Sequence, residues 1–340
     1  MKNNKRSFLF RFSLFIFSIS FLSLLFARRS SAFLGFFTER ISAPVRNFLL
    51  KMSNFAPFSL YELILFLSPA LLVFLIYLLR AGGTGARRRF LAVIATLLLV
   101  FSLFINNVFI CYSVRIPNAT RQISASELEA ATLYLIDEVN SFGGEARDFS
   151  SVAEKLFASY SRLALPETHL TAQPPRIKQI KNEKLASYLG VLASYSFLTS
   201  EISVNTEPPS YTVIFSIAHE MAHLFGILRE ADASLYAYIA SIETRDGAIA
   251  YSASLFALEY LFSELSYRDS ALYSKAYASL SEKARSDVSE YRQFYEGYKS
   301  LLVASADKAN EALLDAADDS GYGEFSRLLV AYLIDNGICN

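Results

Sequence analysis

Cysteine, histidine and, over the first third of the chain, acidic residues are scarce, and each shortage closes off a class of protein. Among 340 residues there are two cysteines, Cys111 and Cys339. Two thiols make no disulfide framework, and without a Cys-x-x-Cys spacing there is neither a thiolate zinc site nor a redox pair. A metal must then be held by histidine and carboxylate, and only His169, His219 and His223 exist to do it. Charge is low as well, at 19% of residues, against 53% hydrophobic residues and a mean hydropathy of +0.30. That composition excludes intrinsic disorder and is unlike an ordinary soluble domain.

The net charge of zero conceals two unlike parts. Residues 1–113 hold 13 Lys/Arg against 2 acidic residues, and the remainder holds 19 against 30, so the parts carry +11 and −11. The positive charge stands beside long apolar runs, where membrane topology explains it, and the other part is acidic. No nucleic-acid partner is expected.

Three stretches, at about residues 8–27, 60–79 and 90–112, are long enough for a hydrocarbon core of about 30 Å, which takes roughly 20 helical residues. Lys2, Lys5 and Arg6 precede the first, and Arg80, Arg87, Arg88 and Arg89 lie between the second and third. Cytoplasmic loops carry such an excess, so the amino terminus is expected inside and the body outside. The loop after the first span is also basic, with Arg28, Arg29, Arg40, Arg46 and Lys51, which suits an amphipathic segment lying at the interface. A cleaved signal peptide is the rival reading of residues 1–32, but the apolar stretch is long for one.

Residues 114–340 contain no spanning run. Ser124 followed by Glu127 is a capping box that opens a helix through about Val139, and a second helix is expected over residues 152–163. Pro166, Pro174 and Pro175 then mark a long connection, which contains His169. Residues 197–205 alternate and are rich in β-formers, predicting a strand that includes Glu201. Pro208-Pro209-Ser210 breaks the chain and is expected to cap a helix starting near Tyr211. Everything after Glu230 reads as helical, with breaks only at glycines.

The predicted helix carries His219-Glu220-Met221-Ala222-His223. Four residues is just over one helical turn, so both imidazoles leave one face and can share a Zn²⁺ ion. Glu220 lies about 100° around the helix, placed to act as general base on a metal-bound water without being a ligand. By chance an H-E-x-x-H arises in about one or two of a thousand chains with this many His and Glu, so coincidence is a poor explanation. A catalytic zinc needs a third protein ligand. Glu230, reached after Gly226, is the first choice, and Asp232 the alternative.

The run at residues 219–240, HEMAHLFGILREADASLYAYIA, together with Tyr251-Ser252, resembles an uncharacterised bacterial membrane family catalogued as domain of unknown function 3810. That family pairs amino-terminal spans with H-E-x-A-H, then R-E-x-E-A-N and an aromatic-rich helix. The run is also similar to zincin-type metallopeptidases with a glutamate third ligand, in which E-x-x-A-D follows. This chain departs at Asp232 and at Ser234, and Ser234 is left as a residue that could orient a ligand. Glu201, Arg229 and Tyr251 are weaker candidates for substrate contact.

These readings combine into one expectation. The chain is mainly α, with three amino-terminal transmembrane helices in residues 1–113 and, over 114–340, an extracytoplasmic zincin-like α+β domain with a small sheet and a helical C-terminal part. The spans and the motif together lead to the expectation of a multi-pass protein of the bacterial cell membrane and a zinc-dependent hydrolase acting on peptides or proteins at the envelope, with the lipid bilayer as its other partner; the resemblance supports the metal site and implies no substrate. The alternatives are a membrane scaffold or interaction protein whose zinc site is structural or vestigial, and a zinc amidohydrolase that is not a peptidase.

Overall fold

The computed structural model describes residues 2–27, 29–108, 110, 121–143, 148–163, 173–298, 308 and 324–339. It is mainly helical with one three-stranded sheet, and it divides into two compact units. One lies within residues 1–114 and takes in Ser196–Ser200, and the other is built from the rest.

In the first unit the helices are α1 (Lys2–Ala27), α2 (Ser31–Phe37), α3 (Ala43–Phe55), α4 (Leu60–Arg80) and α5 (Gly83–Asn107). Two are long and apolar enough to cross a membrane, at Phe10–Ala27 and Leu60–Arg80. The expected third span is helical through Asn107 within α5, and its end at residues 109 and 111–112 falls outside the described residues. Between α2 and α3 the helix makes a π-turn, Thr38–Ser42. Its cause is Pro44, which has no N–H for the carbonyl of Arg40. The Ala43 N–H instead bonds five residues back to Thr38, and the helix continues.

In the second unit α6 (Ala125–Ser141) opens with the expected capping box, and α7 (Phe149–Arg162) is capped by Asp148. The sheet has strands β1 (Lys178–Gln179), β2 (Ala193–Ser196) and β3 (Glu201–Val204), in the order β1-β3-β2. β1 runs parallel to β3, with Lys178 opposite Ser203. A short helix, α8 (Glu183–Tyr188), links the first two strands. The expected strand over 197–205 is therefore half right. Residues 197–200 are a turn in which Ser200 takes φ +52°, and the strand starts only at Glu201.

Helix α9 (Ser210–Leu224) is buried from Tyr211 onward, as its all-round apolar sequence requires. It packs against α7, β3, α10 (Glu230–Glu243) and α11 (Gly247–Arg268). Ser210 does not cap it. Pro209 holds the cap position and its carbonyl accepts the Thr212 hydroxyl at 2.8 Å. The later part is not one helical run: Asp246 and Asp269 each accept two backbone N–H groups and start α11 and α12 (Ser270–Ala278), and Ser281 starts α13 (Glu282–Gly297). The last described helix is α14 (Phe325–Asp335).

Candidate metal centre

Helix α9 ends one residue past His223 because Gly226, at φ +96°, turns the chain into the left-handed region. The Ile227 N–H bonds to the Ala222 carbonyl and the Gly226 N–H to the His223 carbonyl, both at 3.0 Å, closing a Schellman turn. This turn swings the chain back so that α10 begins with Glu230 beside the last two turns of α9. From the other side α7 fixes the motif helix: the Tyr160 hydroxyl donates to the Ala218 carbonyl at 2.8 Å, and its ring stacks on Phe225.

His219, His223 and Glu230 are thereby gathered, each offering a donor atom within 4.8 Å of the others. His219 Nε2 lies 3.0 Å from Glu230 Oε2, and His223 Nε2 lies 3.8 Å from Glu230 Oε1. Donors bound tetrahedrally at about 2.0–2.1 Å sit about 3.4 Å apart, between those two spacings. The tautomers suit an ion too. His223 Nδ1 is 2.8 Å from the Ile227 carbonyl, which only accepts, so the proton is on Nδ1 and Nε2 keeps its lone pair. His219 Nδ1 faces the Ser234 hydroxyl at 3.2 Å, a group able to donate or accept. The residues present fit a divalent metal of the zinc class by donor type, spacing and outer hydrogen bonds.

Glu220 sits next to this group and outside it. It is 8% exposed, and burial pushes its carboxyl up to about 7; Glu230 adds to the rise, while His223 and the Tyr195 backbone N–H work against it. That N–H comes from β2, an outer strand of the sheet.

The other candidates are placed elsewhere. Asp232 is buried and paired with Arg229 at 3.8 Å, so Glu230 and not Asp232 joins the histidines. Glu201 is buried in an ion pair with Lys178 at 2.6 Å, both side chains 1% exposed, because the β1–β3 pairing brings the two together. Its strand is the middle one and offers no free edge for an extended chain. Tyr251 donates its hydroxyl to Asp287 at 2.6 Å, with Lys283 over its ring. His169 lies outside the described residues.

Three contributors were not foreseen: the Tyr195 N–H, the Ile227 carbonyl and Tyr260. The Tyr260 phenol is held protonated by burial and by several neighbours including Glu230. Only Ile227 had a signal in the sequence, the glycine that makes the turn.

Fold and site together define a membrane-associated protein with a His-His-Glu group able to hold a metal ion. Over residues 37–334 the chain matches the family model described as Protein of unknown function (DUF3810), and it belongs to that family. No curated protein and no solved structure matches it.

Proposed function

We propose that the protein binds one zinc ion through His219, His223 and Glu230, and that Glu220 makes the site hydrolytic, with peptides or proteins at the cell envelope as substrates. The observation that carries this reading is the three-donor group with a fourth, non-ligand carboxylate beside it. His219, His223 and Glu230 would hold the zinc, which when bound would supply an acidified water and polarise a carbonyl. Glu220 accepts a proton on its carboxylate and returns it to the leaving amine. The Tyr195 N–H holds that carboxylate in place. The outer strand β2 is the element on which an extended substrate would pair by β-augmentation, a role the sequence had suggested for the strand of Glu201.

A second reading, a closed structural zinc site on a membrane scaffold, is favoured by the depth of the histidines, 5% and 6% exposed, and by the direct His219–Glu230 contact. Elemental analysis of the detergent-purified chain decides whether metal is held. About one zinc in the wild type, lost in His223→Ala and in Glu230→Ala with helicity intact, is the expected result. Glu220→Gln then separates the two uses. Metal retained with peptide turnover abolished supports hydrolysis, and turnover undiminished in this variant would remove it. A cobalt-substituted protein whose visible spectrum ignores a small hydroxamate would point to the closed site.

A further inference from the structure

Residues 31–55 form one unbroken helical run, α2, the π-turn and α3, which buries Leu34, Phe37, Ala43 and Leu50 on one side yet carries large apolar residues on its exposed side as well. Ser42, Arg46 and Ser53 are buried, with Arg46 Nη1 donating to Ser42 Oγ at 2.7 Å. The exposed side carries Phe48 at 63%, Met52 at 52% and Phe55 at 83%, at the i, i+4, i+7 spacing of a single face. Phe36 and Ile41 before it and Phe58 after it are exposed as well. A helix side that faces water is polar instead. A contiguous apolar surface of this kind marks a membrane or protein contact.

Two observations choose lipid. The first is the tether. Three residues separate the run from α1 and four separate it from α4, the two helices long enough to cross a bilayer among the described residues. Four linking residues reach at most about 14 Å, so both ends of the run are pinned to one membrane surface. The second is charge. Lys51 flanks the apolar face and Arg40 is exposed one segment earlier, with Glu39 the single acidic residue between 31 and 59. Cations beside buried phenyl groups suit phosphate headgroups above acyl chains.

We infer that residues 31–55 lie in the plane of the bilayer, with Phe48, Met52 and Phe55 among the acyl chains and Lys51 and Arg40 at the phosphates. The inference rests on the reading of α1 and α4 as membrane spans. Because the chain contains no tryptophan, a single introduced indole reports one place. The full chain, as Phe48→Trp, Phe55→Trp or, for reference, Phe66→Trp within α4, is reconstituted into vesicles of phosphatidylcholine and phosphatidylglycerol, with and without brominated acyl chains. Indoles at 48 and 55 should emit to the blue, lose the greater part of their emission to lipid brominated near the headgroup end, and resist iodide. Quenching by iodide and not by bromolipid at 48 and 55, while Phe66→Trp responds to bromolipid, puts the face in water and overturns the inference. Shielding from both quenchers assigns the face to protein, such as a second copy, and overturns it equally. An indole at 66 untouched by bromolipid removes the membrane spans themselves, and the inference falls with them.

Discussion

His219 can present Nε2 to a metal only with its ring proton on Nδ1. Ser234 Oγ, 3.2 Å from Nδ1, can accept that proton. Ser234→Ala should weaken zinc binding by about 10- to 100-fold, the usual cost of losing a group that orients a ligand, without loss of helicity. Competition against a chelator of known affinity measures it; an unchanged affinity would reduce Ser234 to packing. At Lys178 the same kind of pairing concerns stability. Lys178→Met leaves Glu201 buried without this cation and should cost about 3–5 kcal/mol, read as a lowered denaturation midpoint, and a smaller loss in Lys178→Met/Glu201→Leu would show that the unpaired charge is the cause. These two sites also mark what single residues disclose in a sequence. His219, Glu220 and His223 were legible because a helical period fixes their faces, and Glu230 because a glycine turn precedes it. The partner of Glu201 was not, since a two-residue strand 23 positions away carries no pattern of its own.

At the scale of elements, the turn after α9 has two duties: it ends the helix, and its Ile227 carbonyl sets the tautomer of His223. Gly226→Ala forces a Cβ into the left-handed region and should cost about 1–2 kcal/mol of stability. It should also lower zinc affinity, because the carbonyl moves. Gly247→Ala is the matched comparison. A Cβ there would overlap the Gly143 carbonyl oxygen, so stability should fall, while metal affinity of the folded fraction stays as in the wild type. Equal zinc affinities in the two variants would separate the turn from the site. Element boundaries were legible where a cap has its own signature, as with Ser124 and Glu127. They were missed where a cap sits inside helix-rich composition. Gly247 marked the start of α11, but Asp269 and Ser281, which also start helices, read among Ala, Leu and Tyr as surface positions on one long helix.

For the molecule as a whole, buried acids link stability to pH, Glu220 in the site and Glu259 away from it. Glu259 of α11 accepts the Tyr211 hydroxyl of α9 at 2.6 Å, with Arg292 of α13 within electrostatic range. Burial raises its carboxyl to about 7, against the pull of Tyr211 and Arg292. A folded-state value above the unfolded one means that the folded chain holds the proton more tightly. Stability from this group is complete below about 4.5, declines as pH rises toward about 7, and is level above, a change of about 3 kcal/mol. Glu259→Gln should flatten that slope in denaturant titrations across the same range; an unaltered slope would assign it to another group. Orientation is the larger question, and it turns on residues 90–112. With the amino terminus inside, as Lys2, Lys5 and Arg6 favour, two spans return the chain to the cytoplasm and a third sends the body out. The basic loop at 28–51 argues less against this than its charge suggests, because Arg46 is buried against Ser42 and Lys51 flanks an apolar face. The cluster Arg80, Arg87, Arg88 and Arg89 has no such explanation and favours a cytoplasmic turn between the second and third spans. Two fusions after Asn340 test the count: a reporter active only in the cytoplasm should be silent, and one active only outside should work. The opposite pair of results would leave two spans and a cytoplasmic body, and would take envelope peptides away as substrates.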